Sequence, residues 1–280
     1  TVLSRGLGDV YKRQGVDCSD HEVNIKILLN ALMANGQLDA AAREQLLRSM
    51  TDAVADLVLE NNYRQSQAIS LAQSEALLRD VEYRRLISHY EANGVLDREL
   101  EFIPSDDVIA ERKSHGKSLT RPELSVVVSY SKLALKSALA NSDIADNRYV
   151  AKAAYLAFPE VLRNDHSAQI DNHQLHREIV ATQVAGDIVN RMGITFVHRM
   201  EQATGESPET IAKAYIACRD LFGLEAQWAK IEALDYAINS ELQYQLFSQL
   251  IRLVRRSSRW LLRDQRSGCL LYTSDAADES

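Results

Sequence analysis

Apolar residues recur along this chain at steps of three and four, and no strand-like alternation persists. That period gathers them on one side of a helix, so the pattern predicts an all-α protein built as a multi-helix bundle. Only 11 glycines and 4 prolines interrupt the 280 residues, which leaves room for long helices joined by short turns.

The first element follows Gly15-Val16-Asp17-Cys18-Ser19-Asp20-His21-Glu22-Val23-Asn24, a polar stretch that runs into the apolar Ile25–Leu32. Ser19-x-x-Glu22 reads as a capping box, and Asn35-Gly36 reads as the stop. A short helix is expected over Leu38–Arg48, then a long one over Asp52–Arg79 with Thr51 as N-cap. Its stripe begins with Val54, Leu57 and Val58 but continues through Asn61 and Gln65 to Ala68 and Ala72. Those amides either bond a neighbouring element or mark the point where the helix emerges into solvent. Val81–Asn93 forms the next helix, ended by Gly94, and Leu96–Gly116 reads as irregular, with Lys113, His115 and Lys117 as solvated surface.

Thr120-Arg121-Pro122-Glu123 is a second capping box with proline in the first turn. The helix it starts carries Leu124, Val126, Val127, Val128, Tyr130, Leu133, Leu135 and Leu139, a distribution expected in the middle of a bundle. Asn147–Phe158 is a helix that Pro159 stops, and a His/Asn/Asp-rich loop leads to another over Asn172–Met192. Within it Ile179, Gln183, Gly186 and Asn190 share a line, and the glycine suggests a second backbone passing close by. Ser207-Pro208-Glu209 opens a helix ending at Phe222-Gly223, followed by Glu225–Leu234 and by Ser240–Asp264. The last carries a stripe of Leu242, Leu246, Leu250, Leu253 and Trp260.

Composition narrows the function classes. With 39 acidic against 32 basic side chains the net charge is −7, so general nucleic-acid binding is not expected. No apolar run approaches the length of a membrane span, and none in the first residues makes a signal peptide. Three scattered cysteines, Cys18, Cys218 and Cys269, do not make a disulfide framework, and a reducing, cytoplasmic setting is expected. Cys218 reads as a core residue. His166, His173, His176 and Glu178 lie close in sequence, but a solvated helix terminus explains them better than a metal site, so no metal ligand is assigned. Arg252, Arg255, Arg256, Arg259 and Arg263 form a ridge on the last helix that suits docking on another domain better than phosphate binding. No dinucleotide fingerprint, P-loop or nucleophile elbow is present. Residues 1–14 and 267–280 lack the helical period and resemble translated adaptor sequence.

Five stretches carry a likeness to a known family: GVDCSDHEVNIKILLN from Gly15, NYRQSQAISL from Asn62, LTRPELSVVVSYSKLAL from Leu119, REIVATQVAGDIVNRMGITFV from Arg177 and RWLLR from Arg259. Between about Gly15 and Arg263 the sequence resembles the C-terminal part of the large bacterial NAD-specific glutamate dehydrogenases. The resemblance implies that residues 15–36 are the last turn and helix of a truncated nucleotide-binding, catalytic domain and that 37–266 form a helical C-terminal domain. In that family a Gly-Gly-Val-x-x-Ser-x-x-Glu segment touches the substrate carboxylate, and Val16, Ser19 and Glu22 match its spacing, although Gln14 stands where the first glycine belongs. Ser19 is therefore a candidate donor to the glutamate γ-carboxylate, with Val16 packing on the substrate methylenes, while capping alone also accounts for Ser19. The parent chemistry implied is oxidative deamination of L-glutamate to 2-oxoglutarate with NAD as cofactor. Neither catalytic nor cofactor-binding residues can be placed in this chain, so by itself it is expected to be inactive. The expected partners are L-glutamate and 2-oxoglutarate in the parent enzyme, the chain's own catalytic domain and further subunits of a homo-oligomer; an alternative is a helical structural module without catalysis.

Overall fold

The computed structural model describes residues 19–263, and the readings made for 1–14, Val16, Cys18, Cys269 and 267–280 lie outside them. Among the described residues every regular element is a helix. The described chain divides into two compact units, one of residues up to Ser66 with Ala145–Gln183, the other of Gln67–Ile144 with Val184 onward.

The first unit contains α1 (residues 19–34), α2 (Ala40–Ser49), the start of α3 (Thr51–Ala76), α7 (Arg148–Ala151), α8 (Glu160–Asp165), α9 (Ser167–Asp171) and the start of α10 (His176–Met192). Gly36 stops α1 at φ +68°, where a side chain would be strained. Asn147 caps α7 by accepting from the Tyr149 and Val150 amides at 3.0 and 3.1 Å. The expected Asn147–Phe158 helix tightens after one turn into a 3₁₀ segment, Lys152–Ala157. His21, Ile25, Leu28, Leu29 and Leu32 line the buried side of α1 at helical spacing, and Met50, Val150, Phe158, Leu162 and Ile170 are also buried in this unit.

In the second unit stand α4 (Asp80–Ala92), α5 (Asp106–Ser114), α6 (Arg121–Ala140), α11 (Phe196–Thr204), α12 (Pro208–Leu221), α13 (Leu224–Glu232) and α14 (Ser240–Arg263). The capping box of α6 forms as read, with the Thr120 amide donating to Glu123 at 2.7 Å. Its helix is less enclosed than expected, because Leu133 stays 57% exposed. The core gathers around Tyr215 of α12 and the Trp228–Phe247 ring pair, whose centroids lie 4.4 Å apart. Gln67 of α3 accepts from the Trp228 indole at 2.9 Å and donates to Glu232 at 3.2 Å. Gln67 on α3 thus bonds a neighbouring element, and Asn61 and Gln65 are half-buried.

Three local readings are corrected. The stretch read as irregular contains α5, capped by Ser105, and Lys113 on it is no bystander: it pairs with the buried carboxylate of Asp80. Burial would raise the Asp80 pKa, but Lys113 and Arg84 together hold it below the usual carboxylate value. On α14 the buried line is Gln243, Phe247, Ile251, Val254, Ser258, Leu261 and Leu262, not the leucine stripe; Leu242, Leu253 and Trp260 are exposed. The leucines mislead because two members of the true line are polar, and Gln243 is accommodated by donating to Ile231 O and Asp235 at 2.9 and 2.6 Å. Finally, no described backbone crowds Gly186, since a Cβ built there meets nothing within 4 Å. Gly186→Ala therefore removes only the entropic cost of a helical glycine, and thermal unfolding should show the variant more stable by about 1 kcal/mol.

Candidate functional site

Helical spacing sorts the first residues of α1 onto two lines. His21, Ile25 and Leu28 face inward, whereas Ser19, Glu22, Val23 and Lys26 are exposed on another line. Ser19 is already helical rather than a residue preceding the helix, and Glu22 pairs with Lys26 instead of reaching back. The capping-box reading of Ser19 is thereby corrected: a glutamate four residues before a lysine has a favourable partner along the helix. Val16 lies outside the described residues, so of the two substrate-contact candidates only Ser19 has a described position. Its hydroxyl is exposed and no described residue bonds it.

What holds this segment in place is a pair of histidines. The Nδ1–H of His21 donates to Ala157 O at 2.9 Å. His173, after α9, donates from Nε2 to Asn24 O at 3.1 Å and accepts at Nδ1 from the Leu175 amide at 3.0 Å. Phe158 meets the His173 ring edge-on at 5.6 Å between centroids. Both ring nitrogens of His173 are thus engaged by backbone, and among the described residues no three potential ligands converge as a metal site. The sequence placed His173 at a solvated helix terminus; it is instead 7% exposed and braces α1.

The second unit holds a charge cluster that the sequence reading passed over. Asp187 of α10 accepts from the Tyr215 hydroxyl at 2.9 Å and from Arg219 at 3.2 Å, and pairs with Arg191 at 3.1 Å. Burial drives the Tyr215 pKa well above its ordinary value, with Asp187 adding to it. A visible signal existed, because Asp187 and Arg191 stand four apart on one helix, the spacing of an ion pair. On α14, Arg252, Arg256, Arg259 and Arg263 are exposed, and Arg255 is half-buried. Burial first, then the nearby Arg199 and Arg79, push the Arg255 pKa down.

Residues 116–273 match the family model described as glutamate dehydrogenase, C-terminal. This chain belongs to the glutamate dehydrogenase family. A second model, the catalytic domain of bacterial NAD-glutamate dehydrogenase, matches residues 8–72, which include all of α1 and most of α3. The chain is 51% identical over 253 residues to the NAD-specific glutamate dehydrogenase of Pseudomonas aeruginosa, covering 90% of this chain and 16% of that protein. It is 47% identical over 264 residues to the Halomonas elongata enzyme of the same name, covering 94% of this chain and 16% of the relative. The Mycobacterium tuberculosis relative, also an NAD-specific glutamate dehydrogenase, is 38% identical over 248 residues, 89% of this chain and 15% of its own length. The chain therefore spans about one-sixth of the relatives it matches. No helix among the described residues is long and apolar enough to cross a membrane.

The His173 clamp has a pH signature. Burial is the main cause of a pKa below the ordinary histidine value, which the bond to Asn24 raises without restoring. A histidine held neutral in the fold stabilises it fully above the unfolded pKa of about 6.5, and that stability is lost as pH falls from there through the lower folded pKa. Protonation at Nδ1 also removes the bond from the Leu175 amide, worth about 1 kcal/mol. Unfolding midpoints measured from neutral pH downward should fall, and His173→Gln should flatten that fall relative to the wild type.

Proposed function

We propose that this chain is the C-terminal part of an NAD-dependent glutamate dehydrogenase, which oxidatively deaminates L-glutamate to 2-oxoglutarate and ammonia. The observation that carries this reading is the succession of two matches on one chain, a bacterial catalytic-domain model over residues 8–72 and the C-terminal model over 116–273. In the whole enzyme a hydride passes from the α-carbon of glutamate to NAD, and water hydrolyses the resulting imine. The residues that bind NAD and move protons belong to the portion of the parent that this chain lacks. Purified and supplied with glutamate and NAD, the chain alone should form no NADH above background in an absorbance assay; glutamate-dependent turnover would overturn this part of the reading.

Within that assignment, Ser19 contributes to holding the substrate's side-chain carboxylate, with Val16 against its methylenes. Support comes from the exposed line of α1 on which Ser19 stands and from the Val16, Ser19 and Glu22 spacing of the family's carboxylate-binding segment. Ser19→Ala in the intact parent enzyme should raise the KM for glutamate about tenfold, the cost of one hydrogen bond to a charged group, and leave the KM for NAD near its original value. An unchanged glutamate KM removes Ser19 from the substrate site.

The helical remainder serves the parent as a bracing and homo-oligomerisation module. Leu242 and Leu253, 44% and 43% exposed on α14, favour this role, since they offer apolar surface to a further domain or subunit. The setting is the reducing cytoplasm, in which the buried thiol of Cys218, its pKa raised by burial, stays a packing group.

A further inference from the structure

On the second unit, α4 and α11 wall a cavity of about 410 Å³. From α4 it is lined by Arg84, Arg85, Ser88 and His89, which recur at the spacing of one helical face; from α11 come His198 and Gln202, one turn apart. The His89 and His198 rings lie 4.5 Å apart between centroids, tilted by 39°. Arg84 spends its Nε on Asp80 at 3.2 Å, leaving the end of its fork free of described partners. Arg85 is exposed and bonds no described residue. Asp106 is the one carboxylate lining the cavity, and it is occupied by Arg98 at 2.9 Å. Ser88 accepts from Arg98 at 2.9 Å, so its own proton remains available.

Donors therefore outnumber acceptors here, and they arrive from two helices. Guanidinium forks pair with carboxylates and phosphates alike, but donors arriving from several directions match a tetrahedral oxyanion better than a planar one. The volume exceeds that of an inorganic ion and falls within the range of small-molecule sites. We propose that this cavity binds the phosphate group of a small phosphomonoester, with Arg85 and the free end of Arg84 as the principal anchors and His89, Ser88 and the second amide hydrogen of Gln202 as further donors, the first being given to His198 Nε2 at 3.0 Å. The site is separate from the glutamate site proposed above and does not depend on it.

The test is a titration of the 280-residue chain followed through the histidine ring signals in NMR, with ribose 5-phosphate, inorganic phosphate and succinate as probes. Ribose 5-phosphate should shift the His89 and His198 signals saturably and leave those of His21 and His173 in place. Arg85→Ala, at an exposed position without a described partner, should keep the unfolding midpoint and weaken ribose 5-phosphate binding about tenfold or more, the worth of a hydrogen bond to a charged group. No saturable shift, or equal binding by the variant, overturns the proposal. Saturation by inorganic phosphate but not by ribose 5-phosphate reassigns the cavity to free phosphate, and tighter binding of succinate reassigns it to dicarboxylates; either result overturns the monoester.

Discussion

One half-buried carboxylate organises the larger unit. Asp187 on α10 receives the Tyr215 hydroxyl and the Arg219 guanidinium from α12, and Arg191 one turn along its own helix. Arg191 in turn lies 6.0 Å from the centre of the Trp228 ring on α13, which is stacked on Phe247 of α14 and bonded to Gln67 of α3. A single charge thus ties together helices that apolar contact alone would let slide. Burying such ions costs several kcal/mol apiece, so the cluster adds little net stability over an apolar replacement, while loss of one member strands the others at a cost of about 3–5 kcal/mol. Its contribution is to select one register among the several that greasy helical faces permit.

The same tension between pattern and partner explains what could be read from the residues. Helix existence and helix ends were legible because their causes are local: Gly36 and Gly94 take positive φ at +68° and +65°, and Thr120 and Glu123 complete each other within one turn. The chosen face of α14 was not legible. Counting leucines favours Leu242, Leu246 and Leu253, yet the face containing Gln243 is the one that α12 and α13 cover, since carbonyl and carboxylate partners await that amide. Nor was α5 legible, because its capping Ser105 precedes a run of charges with only Ile109 buried, and its lysine finds a carboxylate 33 positions away. Wherever a polar side chain is satisfied by a residue distant in sequence, periodicity alone assigns it to solvent.

For the candidate site the limit was of another kind. The spacing of Val16, Ser19 and Glu22 suggested both a cap and a carboxylate contact, and the geometry removes the cap by giving Glu22 to Lys26 and making Ser19 part of the helix. What the pattern of residues did not disclose is how α1 is held: His21 and His173 each spend ring nitrogens on main-chain groups across more than a hundred residues. These imidazoles therefore fix the position of the helix that carries Ser19.

Function and folding load opposite sides of the helices, and α4 shows why this comes cheaply. Its buried side carries Asp80, Tyr83, Leu86, Ile87 and Tyr90; its outer side carries Arg84, Arg85, Ser88 and His89. A helix that must present an apolar stripe inward necessarily presents another line outward, and residues on that line are constrained in position by the core without contributing to it. Replacing Arg85 leaves Leu86 and Ile87 packed as before, whereas any change at Tyr83, which donates to Ala72 O at 3.1 Å, disturbs the seam between α3 and α4. Donors mounted in this way are rigid, spaced by whole turns and free to vary. That combination lets a bundle whose interior is occupied by packing acquire a ligand on its surface without reorganising the network around Asp187.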